Sequence, residues 1–265
     1  MGVGMKVVFL DIDGVLQPRT NKRGGHRKEI PAFCRKMDKR MKGLYHYVGW
    51  LGEPGFDLMD VGAVRYDWDV TAVETLRRVL DKSKAKIVLS SDWKDMRAMR
   101  LMKALLAIHD LDGYLWDRTI SSDYLWLSHE FPFEVGEKYR RDYETEIFKV
   151  EDVIAKSHGL KDRIEMNQRV AEILEFLDRH PEIVSYVAVD DMNLIPGLEG
   201  HFIQTWPALT VGDGRKMLKC LAVEDGPYRL PSGCYTDGLK RIRRDYLPII
   251  DRLWRKEPTL HSPGE

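Results

Sequence analysis

Cysteine is scarce in this sequence: Cys34, Cys220 and Cys234 are the three among 265 residues, and no pair has zinc-ligand spacing. Neither a disulfide framework nor a cysteine zinc site is expected, and a reducing, cytoplasmic setting is the default. Net charge is lacking too, since 42 Lys and Arg balance 42 Asp and Glu. With an apolar fraction of 43%, that balance excludes a globally disordered chain and leaves enough hydrophobic side chain for a core. No apolar run approaches the ~18 residues of a membrane span, and Met1 to Lys6 run into a short hydrophobic segment without a signal-peptide pattern. No membrane contact is expected. The eight histidines include no His-x-x-x-His pair, and there is neither an internal repeat nor a low-complexity segment.

What is present is a series of short apolar runs, each stopping at polar residues. Lys6 to Leu10 fits a buried parallel strand and delivers Asp11 at its end. Residues 17–68 then read as a Gly-rich, basic, irregular insertion, before Val70 to Leu80 take up helical spacing with Val73, Leu76, Val79 and Leu80 on one face. Lys86 to Leu89 is a second strand ending at Ser90-Ser91-Asp92-Trp93, and Met96 to Ile108 has an amphipathic helical pattern. A second irregular stretch, 122–151, holds seven aromatics. Asn167 to His180 is helical and closed by Pro181, and Val184 to Val189 is a third strand ending at Asp190-Asp191. His201 to Thr205 is a candidate fourth strand, Gly214 to Val223 a following helix, and Gly238 to Arg255 a basic amphipathic helix. Strands alternating with helices imply an α/β fold on a parallel sheet.

Ligands of open parallel sheets bind at the carboxyl ends of strands, so Asp11, Asp13, Ser90 or Ser91, Asp190 and Asp191 are expected to converge. That many carboxylates cannot stay ionised together without a cation, and an oxygen-only set suits Mg²⁺. One carboxylate can then attack phosphorus, and Asp11 is the nucleophile on this reading. Asp13, on the same side of an extended chain, is the general acid/base. Gly14 frees the backbone to turn, which lets main-chain N–H groups approach a phosphate.

Asp11-Ile12-Asp13-Gly14-Val15 after a hydrophobic strand resembles the first signature of the haloacid dehalogenase superfamily in its phosphatase form. The strand ending in Ser90-Ser91 resembles the second signature, a hydroxyl that binds the phosphoryl group, and Val187-Ala188-Val189-Asp190-Asp191 resembles the fourth, an acidic pair for Mg²⁺. The third is normally a Lys at a helix start; here Arg169 stands in its place, with Lys161 and Arg163 as alternatives. Ser91-Asp92-Trp93, Arg169 and the Asp-Asp ending together are similar to the domains of this type in multifunctional RNA-repair proteins, and more distantly to polynucleotide kinase phosphatase domains.

The resemblance implies a three-layer α/β/α Rossmann-like fold with a parallel central sheet and an inserted cap. It covers roughly residues 5–222, and the domain expected from it is a hydrolase core over residues 1–222, with a cap at about 17–68 and a second insertion at about 122–151; residues 223–265, a basic helical extension, lie beyond it. It implies Asp11, Asp13, Ser91 and Arg169 as catalytic residues. Ser91, Asp92, Gly14 and Arg169 would bind phosphate, and Asp11, Asp13, Asp190 and Asp191 would hold Mg²⁺.

Residues 17–43 hold ten Lys or Arg against Glu29 and Asp38. A charge run is often only a solvated face, but one over the active site would attract phosphates. Basic residues 19–42 and 240–244 are therefore candidate nucleic-acid contacts, and the substrate is expected to be a nucleotide or a nucleic-acid phosphate end. Trp93 reads as a core or rim aromatic, and Asn193 as either a loop cap or a metal-site support. The second reading is a non-catalytic phosphate-ligand or nucleic-acid binding module on the same scaffold, which would keep binding after loss of Asp11.

Overall fold

A computed structural model of the chain describes residues 4–19, 58–97, 99–120, 151–162 and 166–224. The basic residues 20–57, the aromatic stretch 121–150, Arg163, and everything from 225 on, including Lys240, Arg241, Arg243 and Arg244, lie outside the described residues. The chain divides into two compact units. One comprises Met1–Arg23, Trp68–Met96 and Tyr114–Arg229; the other comprises Gly24–Asp67, Arg97–Gly113 and Leu230–Glu265.

The first unit is built on parallel strands β1 (Met5–Leu10), β2 (Lys86–Leu89), β3 (Leu115–Arg118), β4 (Ile183–Asp190) and β5 (Phe202–Gln204), in the order β3-β2-β1-β4-β5. The chain adds strands outward on one side of β1 and then returns to its other side, so the topological switch point lies between β1 and β4. Register is explicit there: Leu10 lies opposite Leu89 on one side and Val189 on the other. The residues that follow those three, Asp11, Ser90 and Asp190, therefore leave the sheet at one level.

Helices follow in chain order as α1 (Leu58–Tyr66), α2 (Val70–Ser83), α3 (Trp93–Met96), α4 (Met99–Leu106), α5 (Gln168–Arg179) and α6 (Val211–Cys220). Val7 and Phe9 of β1 join Val170, Ile173, Leu174 and Phe176 of α5 in one core, where Phe9 meets the edge of the Phe176 ring at 5.7 Å. Strand alternation sends Val8 and Leu10 to the opposite face, and they are equally buried. Both sheet faces are covered, as a parallel sheet requires.

The helix starts have local causes. Asp69 caps α2 by accepting from the Ala72 N–H at 2.8 Å, and Asn167 caps α5 by accepting from the Arg169 N–H at 2.9 Å. Val73, Leu76, Val79 and Leu80 of α2 are all buried, at roughly 1.5–3 kcal/mol each, which outweighs any propensity difference along the helix. α2 ends where Lys84 takes a left-handed φ of 58°.

Four elements differ from the sequence expectation. Helix begins at Trp93 rather than Met96, because the Ser91 carbonyl accepts from the Lys94 N–H, and α3 and α4 replace one continuous helix. α6 begins at Val211 rather than Gly214, because Thr210 and Asp213 form a capping box. Gly214 serves close packing there, since a Cβ on it would stand 2.5 Å from Thr75 Cγ2 of α2. β3 was not anticipated: four residues ending in Asp117 and Arg118 make an edge strand without an apolar run. Leu58–Tyr66, inside the stretch read as irregular, is helical.

In the second unit, Arg97 donates from Nε and an Nη to the two carboxylate oxygens of Asp60, both at 2.6 Å. His109 is buried, and its ring bonds the Val64 carbonyl through Nε2 at 2.8 Å.

Candidate active site

The site grows from the switch point. Asp11 continues the ladder past β1, its N–H donating to the Val189 carbonyl at 3.0 Å, while the Ser90 N–H donates to the Leu10 carbonyl at 2.9 Å. Asp190 ends β4, and its own carbonyl accepts from the Thr205 N–H at 3.0 Å. Asp11, Asp190 and Asp191 each offer one carboxylate oxygen, and these three atoms lie within 4.8 Å of one another.

Arg169, in the first turn of α5, is the cation set among them. Its guanidinium reaches Asp11 Oδ1 at 3.3 Å, Asp92 Oδ1 at 2.6 Å and Asp190 Oδ2 at 3.5 Å, and it donates to the Ser90 carbonyl. Burial works against its charge, but Asp11, Asp190, Glu172 and Asp92 outweigh that and hold its pKa above the ordinary arginine value. Of the alternatives, Lys161 is exposed.

One arginine does not neutralise this cluster. Burial first, then the neighbouring Asp190, push the Asp11 carboxyl up to about 7 despite Arg169 and a hydrogen bond with Ser91. Burial pushes Asp190 up to about 6 against the pull of Arg169, and burial raises Asp191 as well. Asp191 Oδ1 is buried without a hydrogen-bond partner, and Asp190 Oδ2, buried too, has no hydrogen bond beside its long 3.5 Å ion pair with Arg169. Under-bonded carboxylate oxygens in an all-oxygen donor set are what a hard divalent cation such as Mg²⁺ satisfies, so these residues fit the metal. Asp13 stands outside the trio; its Oδ2 accepts from the Trp93 indole at 3.2 Å.

The two serines separate. Ser91 Oγ faces Asp11 and accepts from the Trp93 N–H at 3.5 Å, whereas Ser90 offers its carbonyl to Arg169 and leaves its hydroxyl buried and unbonded. Asp92 is exposed, and its carboxylate is paired with Arg169 at 2.6 Å. Gly14 makes the turn that follows Asp13. Its N–H donates to the Gln17 carbonyl at 2.6 Å, so it is committed within the turn. Gly14 gives the site both its left-handed φ of +79° and space, since a Cβ would lie 2.5 Å from Asp191 Cβ and Cγ. Asn193 is a loop cap, its side chain accepting from the Ile195 N–H at 3.1 Å.

Sequence reasoning missed several supports. Arg19, counted only in the basic run, holds Asp191 Oδ2 at 2.7 Å. Thr205 Oγ1 holds the Gly14 carbonyl at 2.7 Å. Lys94 and Glu172, both buried, pair at 2.9 Å and tie the Ser91 loop to the helix that carries Arg169. Lys94 lies directly after the Ser91-Asp92-Trp93 motif and Glu172 three residues after Arg169, so adjacency to the motifs was the available signal.

An Asp-x-Asp after β1, a strand-end hydroxyl, a helix-start cation and an Asp-Asp strand end, meeting at the switch point of a parallel sheet, define a haloacid dehalogenase-type domain. The family described as the HAD domain in Swiss Army Knife RNA repair proteins matches residues 7–212, and the chain belongs to it. No curated protein and no solved structure matches the chain.

Proposed function

We propose that this chain is a Mg²⁺-dependent phosphomonoester hydrolase that works through an aspartyl-phosphate on a nucleotide or nucleic-acid phosphate end. In the first step an Asp11 carboxylate oxygen attacks phosphorus, and the bond to the leaving oxygen breaks as Asp13 donates a proton to that oxygen. In the second, water attacks the same phosphorus and gives its proton to Asp13, the bond to Asp11 breaks, and inorganic phosphate leaves. Ser91 and Arg169 hold the phosphoryl oxygens, and Asp92 is the partner that an incoming phosphate displaces from Arg169. Mg²⁺, held by Asp11, Asp190 and Asp191, supplies electrostatic stabilisation of the charge on the transferred group.

The observation that carries the reading is the trio of buried carboxylates with under-bonded oxygens, set beside a strand-end hydroxyl and a buried guanidinium. A family of RNA-repair domains and the basic residues 19–42 and 240–244 support a nucleic-acid end as the substrate. The test is phosphate release from 3′- and 5′-phosphorylated oligonucleotides, nucleoside monophosphates and sugar phosphates, with Mg²⁺ or EDTA, for the wild type and Asp11→Asn. Mg²⁺-dependent release that Asp11→Asn abolishes is the expected outcome. Full activity in Asp11→Asn would mean another nucleophile, and turnover of sugar phosphates alone would remove the nucleic-acid substrate.

A further inference from the structure

Trp206 is the exposed tryptophan among the described residues. Its side chain is part of a residue 69% accessible, whereas Trp68 and Trp93 are 4% and 8% accessible. An indole combines a large flat apolar face with a polar N–H, and this one lies on a segment tied repeatedly to the loop after β1. Just before it, Thr205 donates from N–H to the Asp190 carbonyl at 3.0 Å and from Oγ1 to the Gly14 carbonyl at 2.7 Å. Just after it, the Pro207 carbonyl accepts from the Arg19 N–H at 3.0 Å, and the Leu209 N–H donates to the Val15 carbonyl at 2.9 Å. Trp206 is therefore held one residue from a side chain that props the acidic site, and one residue from the anchor of the arginine that holds Asp191.

No hydrogen bond, ion pair or ring contact among the described residues engages the Trp206 indole. A large aromatic with a pinned backbone and only two side-chain torsions loses little entropy when a flat partner lies on it. A nucleoside phosphate presents such a partner, a base separated from its phosphate by a single sugar. Arg19, 44% exposed beside the same loop, supplies positive charge on that rim.

We infer that Trp206 is the stacking platform for the base of the phosphate-bearing nucleotide. The inference rests on the phosphate-end reading above and names the part of the substrate that the carboxylate trio does not touch. Stacking reads a π-face rather than a base edge, so the subsite accepts any of the four bases and requires only that one be present.

The test uses binding, so that it does not depend on turnover. Full-length Asp11→Asn is titrated by fluorescence anisotropy, with Mg²⁺, against short single-stranded RNAs phosphorylated at the 3′ or the 5′ end. Each is compared with the same RNA carrying an abasic residue at the phosphorylated end. Adding Trp206→Ala is expected to weaken binding of the base-bearing end about tenfold and to leave the abasic end unchanged, while Trp206→Phe retains most of the affinity. Competition by a nucleoside monophosphate as effective as the RNA assigns the base to a free nucleotide; weaker competition assigns it to a strand end. Equal effects of Trp206→Ala on both RNAs, no effect on either, or no RNA binding at all would overturn the inference. Base-dependent binding by a wild-type protein that releases no phosphate would overturn the hydrolase reading and leave this one standing.

Discussion

Gly14 and Asp191 compete for one volume: a Cβ on residue 14 would stand 2.5 Å from Asp191 Cγ, at a φ of +79° that L side chains rarely adopt. The glycine after Asp13 is thus what lets the acid that follows β4 reach the loop after β1. Gly14→Ala is expected to cost at least about 1–2 kcal/mol from the backbone alone and to displace Asp191 in addition. Urea denaturation and calorimetric Mg²⁺ titration read the two parts. Unchanged metal affinity in a folded Gly14→Ala would show that Asp191 does not contribute a ligand.

The raised carboxyls set a pH dependence with a definite sign. Asp11 and Asp190 rise from 3.8 to about 7 and about 6, so the folded chain holds these protons more tightly than the unfolded one does. Their contribution to stability is fully present below about pH 4 and is lost as pH rises through 6 to 7. In EDTA this contribution lowers the melting temperature between pH 4 and 7, and Asp11→Asn should flatten that slope. Mg²⁺ should raise the melting temperature most above pH 7, where both groups are ionised. Parallel pH profiles for wild type and Asp11→Asn would refute the assignment of the titration to Asp11.

The strand ends were legible because a buried parallel strand is a continuous apolar run, and its terminating acids stand out against it. β1, β2 and β4 and their polar ends, Asp11, Ser91 and Asp190-Asp191, could be read that way, as could Arg169 from its place at a helix start. β3 could not, since an edge strand of four residues carries too little hydrophobic pattern. Nor could the pairing of Arg19 with Asp191, of Trp93 with Asp13 or of Lys94 with Glu172. Each joins residues far apart in the chain that only the sheet order brings together. The left-handed turn at Gly14 could be read from its freedom to turn, whereas the close approach of Asp191 to the place of its missing Cβ could not.

Arg169 links four partners, and its substitutions should separate charge from shape. Arg169→Ala leaves Asp11 and Asp190 buried together without their cation and is expected to cost about 3–5 kcal/mol as well as phosphatase activity. Arg169→Lys keeps the charge but loses the planar fork that spans Asp11, Asp92 and the Ser90 carbonyl. It should recover much of the stability and less of the kcat. Thermal melts alongside steady-state kinetics decide this; equal kcat in Arg169→Lys and wild type would show that a point charge suffices.

The indole of Trp93 fixes Asp13, so Trp93→Phe should act on chemistry more than on binding. Phenylalanine keeps the buried packing against Trp68 but removes the N–H that Asp13 Oδ2 accepts at 3.2 Å. With Asp13 in the acid/base role proposed above, a lower kcat, by several-fold, with little change in KM is expected, because its displacement would slow proton transfer without touching the proposed phosphate contacts. A rise in KM at constant kcat would instead place Trp93 against the substrate.

The Lys94–Glu172 pair lies deeper than any other ion pair of the site, and its energetics should be those of a buried couple rather than a surface bridge. Both side chains are almost fully enclosed, the Lys94 N–H holds the Ser91 carbonyl at 2.9 Å, and Thr119 Oγ1 approaches Glu172 at 3.4 Å. Removing one partner strands the other charge, so Lys94→Met or Glu172→Leu alone should cost about 3–5 kcal/mol. The double variant strands neither and should regain most of that loss, giving a large coupling energy in a double-mutant cycle measured by urea denaturation. If the regained stability came with undiminished phosphatase activity, the pair would serve packing alone. A stable double variant with reduced kcat would instead show that the ion pair holds the Ser91 loop at the distance from Arg169 that phosphoryl binding requires.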